Sequence, residues 1–480
     1  MSNKNNTPSA PATELTGNIG TFQLVMTVFA LSAPLMTVAG ICPLILSYGA
    51  NAAVMIYLMV TLILLIFSIG FVKMSEHMQN PGGFYAFATA GLSKKTGLGV
   101  ACLASIGYPM IGFIGSCYFP LTLVHYIEAA GGPDLPWWPF SLLYLALIGF
   151  LDSRKVEFSV RILAVVMVLE CIVVIIFDIM SFVRAGTVPG GATLAFPAFG
   201  DPDAQVGASM IYIFGTFLGF ESTVIYREEV REPNKTIPRA TLLAVVIIGV
   251  FYAVATWGFV GFYGADNVQA VAQNDIVSLF ENSMVILFGR IALDVISIMV
   301  MFSMFASTLS VVNASARYWY SLGKDGAYPK FFAKVHPKHA SPYAAVWTVI
   351  GVYMVLVIAL VITGLDPEWF YPILNGVGAF ALMCVFFVVT LAVVNYFRVN
   401  RNKEGSVINK AICPALAVIG IGLCIVLSLM HFEAILSGGL GVEIAVIAII
   451  VAIFIFGIVY ANWLQKNKPE VYSRLGREPQ

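Results

Sequence analysis

Twelve long apolar stretches dominate this sequence, each near the length a helix needs to cross a lipid bilayer. A span takes about 20 residues, because a helix rises about 1.5 Å per residue through a hydrocarbon layer about 30 Å thick. The stretches cover 22–48, 52–73, 98–127, 137–152, 158–183, 206–226, 240–263, 287–317, 342–364, 371–397, 411–431 and 441–464. Lipid offers no partner to a backbone N–H or C=O, so segments of this length predict helices; barrel strands would be shorter and would alternate in polarity. The expected fold class is an all-α membrane protein with twelve transmembrane helices. Only 11% of the 480 residues are charged, against roughly 25% in soluble domains, so water is not the chain's main solvent.

The charges are distributed by side. Of the 26 Lys and Arg residues, 24 fall in the even-numbered connections and the two tails, leaving Arg184 and Arg290 on the other side. By the positive-inside rule this places both termini in the cytoplasm and requires an even number of spans. The first twenty residues are polar, contain no apolar signal-peptide core and read as a short tail. All seven cysteines, at 42, 102, 117, 171, 384, 413 and 424, fall within spans without metal-ligand spacing and read as small packing residues.

Two spans carry helix breakers. The first reads Ser32-Ala-Pro-Leu-Met-Thr-Val-Ala-Gly-Ile-Cys-Pro43, where Pro34, Gly40 and Pro43 weaken the hydrogen-bond ladder. The sixth reads Phe214-Gly-Thr-Phe-Leu-Gly-Phe-Glu-Ser222, with Gly215 and Gly219 ahead of the ionisable Glu221. Breaks five helices apart fit a pair of inverted five-helix repeats whose first helices unwind at mid-bilayer. Amides freed at a half-helix N-terminus attract a carboxylate and freed carbonyls attract an amine, so a zwitterion suits both. The substrate-binding residues expected from this pattern are Thr37, Val38, Ala39 and Gly40 in helix 1, and Phe214, Gly215, Thr216, Phe217 and Gly219 in helix 6.

Three motifs bear on family. Gly219-Phe-Glu-Ser-Thr-Val-Ile-Tyr-Arg-Glu-Glu-Val-Arg-Glu-Pro-Asn-Lys-Thr-Ile-Pro-Arg-Ala240 resembles the sixth helix and following loop of the amino acid-polyamine-organocation superfamily. Asn313 to Pro329, continuing to His336-Pro-Lys and Ser341-Pro342, resembles the end of its helix 8 and the loop beyond, and Asn80-Pro-Gly-Gly-Phe-Tyr85 resembles its loop after helix 2. The resemblance runs from helix 1 to about helix 10 and implies a LeuT-like 5+5 inverted repeat followed by two further helices. It departs at Val38-Ala39-Gly40, where the family commonly has Gly-Ser-Gly, and at Gly215, which aligns with an aromatic gate. It also implies that Asn375-Gly376 of helix 10 approaches the substrate; Tyr108 and Ser116 of helix 3 are expected to line the vestibule opposite the breaks.

Charged groups within a bilayer are costly and default to functional roles. Glu170 sits near the centre of helix 5, at a position where the resemblance implies that some relatives carry a lysine in place of a sodium ion. It is the expected proton-coupling group, facing Thr37 or Val38 of helix 1 and Ser307 or Ser310 of helix 8. Glu221 is expected in gating, in amine attraction or in capping the second half of helix 6. Asp178 and Asp294 lie nearer the outer helix ends, within reach of water, with Asp294 at helical pair spacing from Arg290. The acidic and basic residues of 227–239 are expected to pair with neighbouring cytoplasmic loops.

No Walker motif, nucleophile elbow, zinc-site spacing or nucleic-acid-binding stripe occurs, so neither an enzyme, a cofactor nor a metal is expected. The implied function is secondary active transport of an amino acid or related amine by alternating access, as a symporter, with the proton as coupling ion ahead of sodium. Exchange is the alternative within that class, and a channel or membrane-embedded sensor the alternative outside it. The expected organisation is a tail over 1–20, a first repeat over 21–185, a second over 206–397, two final helices over 398–464 and a tail over 465–480. The expected partners are the small substrate and the lipid of a bacterial cytoplasmic membrane, with the protein a monomer or homodimer and no nucleic acid bound.

Overall fold

Proline and glycine set where the helices of this chain stop. The computed structural model describes residues 19–78, 83–154, 160–191, 193–199, 205–228, 230–339, 341–436 and 438–476. The motif residues Asn80, Pro81 and Gly82, together with Lys155, Ser159, Glu229 and residues 1–18 and 477–480 of the tails, lie outside the described residues.

The chain opens with α1 (Thr21–Leu31), α2 (Pro34–Met36), a π-helical turn over Thr37–Ile41, α3 (Cys42–Gly49) and α4 (Ala53–Ser75). There follow α5 (Gly83–Gly91), α6 (Lys94–Gly112), α7 (Ile114–Ala129), α8 (Trp137–Ser153) and α9 (Val160–Ala185). Next come α10 (Val206–Thr216), a 3₁₀ segment Phe220–Glu228, α11 (Pro233–Tyr263), α12 (Val268–Asn274), α13 (Leu279–Phe288) and α14 (Arg290–Asp325). The last helices are α15 (Tyr343–Thr363), α16 (Pro367–Val399), α17 (Cys413–Met430), α18 (Phe432–Leu436), α19 (Gly439–Asn467) and α20 (Pro469–Arg474). Among the described residues nine helical runs are long and apolar enough to cross a membrane, three shorter apolar helices accompany them, and there is no strand. The protein is thus an all-helical, multi-pass membrane protein.

The first expected span is divided, and its division comes earlier than expected. Ala33 takes a left-handed conformation (φ 45°, ψ 76°) between α1 and α2. A residue ahead of proline is pushed out of the right-handed helical region, and Pro34, having no N–H, starts the next helix without leaving a donor unpaired. Gly40 instead stays within the π turn. Pro43 cannot donate to the carbonyl four residues back, and a wider turn accommodates that loss.

Two groups of helices pack around the interior. One joins α4, α10 and α11 with α1 packed on α11; the other joins α7, α8, α14 and α15. Close approach depends on small residues, as expected where apolar lipid gives helices little hydrophobic reason to associate. A Cβ at Gly207 would lie 1.9 Å from the Leu427 carbonyl oxygen, and one at Gly249 would lie 2.2 Å from Thr61. On the lipid side, Leu169, Ile172 and Ile176 of α9 are exposed while Glu170 between them is 4% exposed. Among the described residues the connections bearing most of the Lys and Arg touch one another and define a basic face. Lys94 Nζ donates to the Tyr472 carbonyl (3.2 Å), Arg227 to the Ser75 carbonyl (3.3 Å), and the His77 ring meets the Glu404 carbonyl (3.2 Å).

Three electrostatic expectations are corrected. Asp178 is 5% exposed and packs against the backbone at Gly258 rather than facing water. Asp294 is exposed, but it accepts from the Tyr126 hydroxyl (3.1 Å) and forms no ion pair with Arg290 among the described residues. In the loop after the sixth span the ion pair among the described residues is internal, Lys235 to Glu232 at 2.8 Å, and Arg227 binds Asn234 (2.8 Å). The lysine's hydrogen bond and charge hold the Glu232 carboxyl below its ordinary range, yet full exposure leaves such a pair weakly stabilising.

Adding a methyl at Gly207 requires two backbones to separate, whereas Gly351 faces open space. Gly207→Ala should lower the melting temperature of the solubilised protein by several degrees, a cost of about 1–3 kcal/mol, and Gly351→Ala should not. A thermal ramp read by size-exclusion chromatography checks both.

Candidate functional site

The two interruptions expose backbone amides, and the chain itself supplies their acceptors. At the start of α2 the Leu35 N–H donates to Glu170 Oε2 (3.2 Å) and the Met36 N–H to Ser303 Oγ (3.1 Å), with Ser303 also beside the Glu170 carboxyl. The Thr37 N–H returns to the Ala33 carbonyl (3.0 Å). At the second interruption α10 ends at Thr216, and Gly219 takes φ 107°, a conformation that costs a side-chain-bearing residue strain. Its N–H donates to Glu221 Oε2 (2.9 Å), while Glu221 Oε1 accepts from the Tyr108 hydroxyl (2.5 Å). Each carboxyl thus sits where the partial positive charge of a half-helix N-terminus favours it.

Between the interruptions lies a cavity of about 1220 Å³. Met36 and Thr37, Gly215, Thr216, Leu218, Gly219 and Glu221, Tyr108 of α6, Ser307 and Ser310 of α14, and Asn375 of α16 contribute to its wall. Towards the basic face it is lined by Gln23, Tyr226, Arg317 and Ser341. The opposite end is sealed by hydrogen bonds: Tyr118 to the Val277 carbonyl (3.2 Å), Tyr212 to the Pro372 carbonyl (3.0 Å), and Gln273 to the Ser47 carbonyl (2.9 Å). The Tyr48 and Tyr212 rings stack beneath that seal at 5.6 Å. A largely apolar chamber with a few polar groups, enclosed by broken helices and reached from one side, suits binding of a small solute in passage.

Comparison with known proteins agrees with this architecture. A family profile described as amino acid permease matches residues 20–475. The chain belongs to that family. It is a permease of the amino acid-polyamine-organocation superfamily, a transporter by descent rather than an enzyme. The low-affinity putrescine importer PlaP of Escherichia coli (strain K12) is 25% identical over 364 residues, covering 72% of this chain and 74% of that protein. The branched-chain amino acid permease BcaP of Lactococcus lactis subsp. cremoris (strain MG1363) is 24% identical over 405 residues, covering 78% of this chain and 81% of that one. The lysine-specific permease LysP of the same strain is 26% identical over 231 residues, 44% of each chain.

The permease fold divides the expected site residues. Thr37, Tyr108, Gly215, Thr216, Gly219, Asn375, Glu221, Ser307 and Ser310 line the cavity. Val38, Ala39, Gly40, Phe214, Phe217 and Ser116 do not line it among the described residues. Because the break falls at Ala33, Val38 to Gly40 stay in helix and turn into the protein, with Gly40 packed on the Tyr118 ring. Glu170 also lies behind the wall, and the α14 residue that it meets is Ser303, one turn before Ser307. Leu35, Met36 and Ser303 were missed in the sequence; the spacing Ser303, Ser307, Ser310 places three hydroxyls on one helical face and was the available signal. Glu281 of α13, buried with neither carboxylate oxygen bonded to another described residue, was missed as well, since it falls between expected spans.

These placements are testable by thiol labelling in a cysteine-free background. Ser310→Cys should react with a membrane-impermeant maleimide from the basic face and Val38→Cys should not. Equal labelling of the two would contradict the wall described here.

Proposed function

We propose that this permease is a secondary active transporter of amino acids or related amines, working as a proton symporter by alternating access across a bacterial cytoplasmic membrane. The observation that carries this reading is the Glu170 carboxyl on the Leu35 amide, directly behind the wall of a one-sided cavity. Protonation removes negative charge from the group that holds the start of α2. The grip on the half-helix weakens, and the second half of helix 1 is released to move relative to α9 and α14. A proton taken up on one side and lost on the other thereby biases which side the cavity faces, through differential affinity of the two states.

The organisation supporting such a cycle is twelve spans, with repeats over 21–185 and 206–397, two further helices over 398–464 and both tails in the cytoplasm. The α1–α4–α10–α11 group would rock against the α7–α8–α14–α15 group, and the basic face would be cytoplasmic, making the observed state inward-facing. The relatives' names, a putrescine importer, a branched-chain amino acid permease and a lysine-specific permease, support amines and amino acids as the substrate range.

Uptake into proteoliposomes under an imposed pH gradient tests the coupling. In the wild type, accumulation should rise with an inward proton gradient; in Glu170→Gln that gain should be lost, a change of about 5–150-fold if the coupling has the usual 1–3 kcal/mol. Proton-driven accumulation persisting in Glu170→Gln rejects the assignment, and dependence on internal substrate would replace symport by exchange.

A further inference from the structure

The cavity has room for a zwitterion, but its anion-receiving positions are already taken. At the first interruption Glu170 and Ser303 hold the amides of Leu35 and Met36, and the Thr37 amide is bonded within the chain. At the second, Glu221 holds the amide of Gly219, and the Phe220 and Ser222 amides return to the carbonyls of Phe217 and Gly219. A ligand carboxylate entering between the breaks therefore finds these amides already bonded, two of them to carboxyls.

Four hydroxyls of the wall are committed to backbone carbonyls. Thr37 donates to the Ser32 carbonyl (2.8 Å), Thr216 to the Ile213 carbonyl (2.8 Å), Ser222 to the Gly219 carbonyl (2.6 Å) and Ser310 to the Ala306 carbonyl (2.9 Å). A hydroxyl whose proton is committed to backbone offers only its oxygen lone pairs to a guest. The charges agree. Asp152, Glu221 and Asp325 line the cavity, while the one cationic side chain among the described lining residues, Arg317, is exposed and donates to Asn313 Oδ1 (2.7 Å). A desolvated carboxylate needs donors or a cation, and without them it is rejected. An ammonium, with three donors and no acceptor, matches the hydroxyl lone pairs and carboxylates set in this largely apolar wall.

We infer that the substrate of this cavity is an organic amine that carries no carboxylate of its own, with Glu170 standing where a substrate carboxylate would otherwise bind the first helix break. The inference rests on the carrier reading above and narrows it. Selectivity arises as much from what the site refuses as from what it holds: the free ammonium is accepted, and the α-carboxylate of an amino acid meets filled amides beside Glu221.

Matched pairs differing only by the carboxylate provide the test on the purified full-length protein: agmatine against arginine, cadaverine against lysine, putrescine against ornithine, and isoamylamine against leucine. Thermal stabilisation gives relative affinities, since a ligand of the native state raises the melting temperature by mass action. In each pair that responds, the decarboxylated member should bind about tenfold tighter or more. Equal or tighter binding of the carboxylated member in a responding pair overturns the inference, and transport of that member into proteoliposomes would leave the carrier reading standing. No binding or transport of any compound overturns both. In Glu170→Ala the amide of Leu35 is uncovered, so the carboxylated member should gain affinity; an unchanged preference in a monodisperse Glu170→Ala protein overturns the role given to Glu170. The wild-type pairs decide the substrate class even if that variant fails to fold.

Discussion

Backbone polarity inside lipid is the constraint on which this structure depends. A helix that stays continuous satisfies its own N–H and C=O groups, whereas one that breaks at mid-membrane must find partners for them from elsewhere in the protein. Here the break at Ala33 passes the donors of Leu35 and Met36 to Glu170 and Ser303, on two other helices, and the break before Phe220 passes the Gly219 donor to Glu221. Three elements distant in sequence are thereby tied at one point, and the cavity opens beside that knot.

The same arrangement makes the structure able to respond. Carboxyls that cap half-helices are strong acceptors when ionised and weaker ones when protonated, so the stability of each break is linked to proton occupancy. Glu221 is additionally joined to Tyr108, whose ring stacks on Tyr318 of α14 at 5.1 Å. The second break is therefore linked to α14 through the Tyr108 side chain. On the sealed side the contacts are hydrogen bonds to carbonyls from Tyr118, Tyr212 and Gln273. The Tyr118 and Tyr212 rings that donate two of them lie within the apolar core, so opening this side must also separate packed aromatic surface.

Much of the site was legible in advance where one residue's chemistry forced the result. Gly219 could be singled out because only glycine enters a φ of 107° without strain, and Glu221 because a carboxyl within an apolar span requires a role. Val38, Ala39 and Gly40 were misplaced because Pro34 and Gly40 compete as breakers in one stretch. Proline acts on the residue before it, so the chain turned at Ala33, and the glycine was left to allow the close approach of Tyr118. The partner of Glu170 was missed by a single turn, since the rotation of α14 against α9 cannot be read from either helix alone.

By itself, the sequence determined that this chain lives in a membrane, that it is helical, and that its first and sixth apolar stretches cannot run straight. Those are properties of local composition: apolar length, the missing proline N–H and the missing glycine side chain act wherever they occur. Only the tertiary structure decided which amides the interruptions would leave, which carboxyls would take them, and which hydroxyls would turn their lone pairs to the cavity. Each of those outcomes depends on how far one helix is rotated and raised against another. That placement is set by the packing of Gly207, Gly249 and their neighbours across the whole bundle rather than by any one segment.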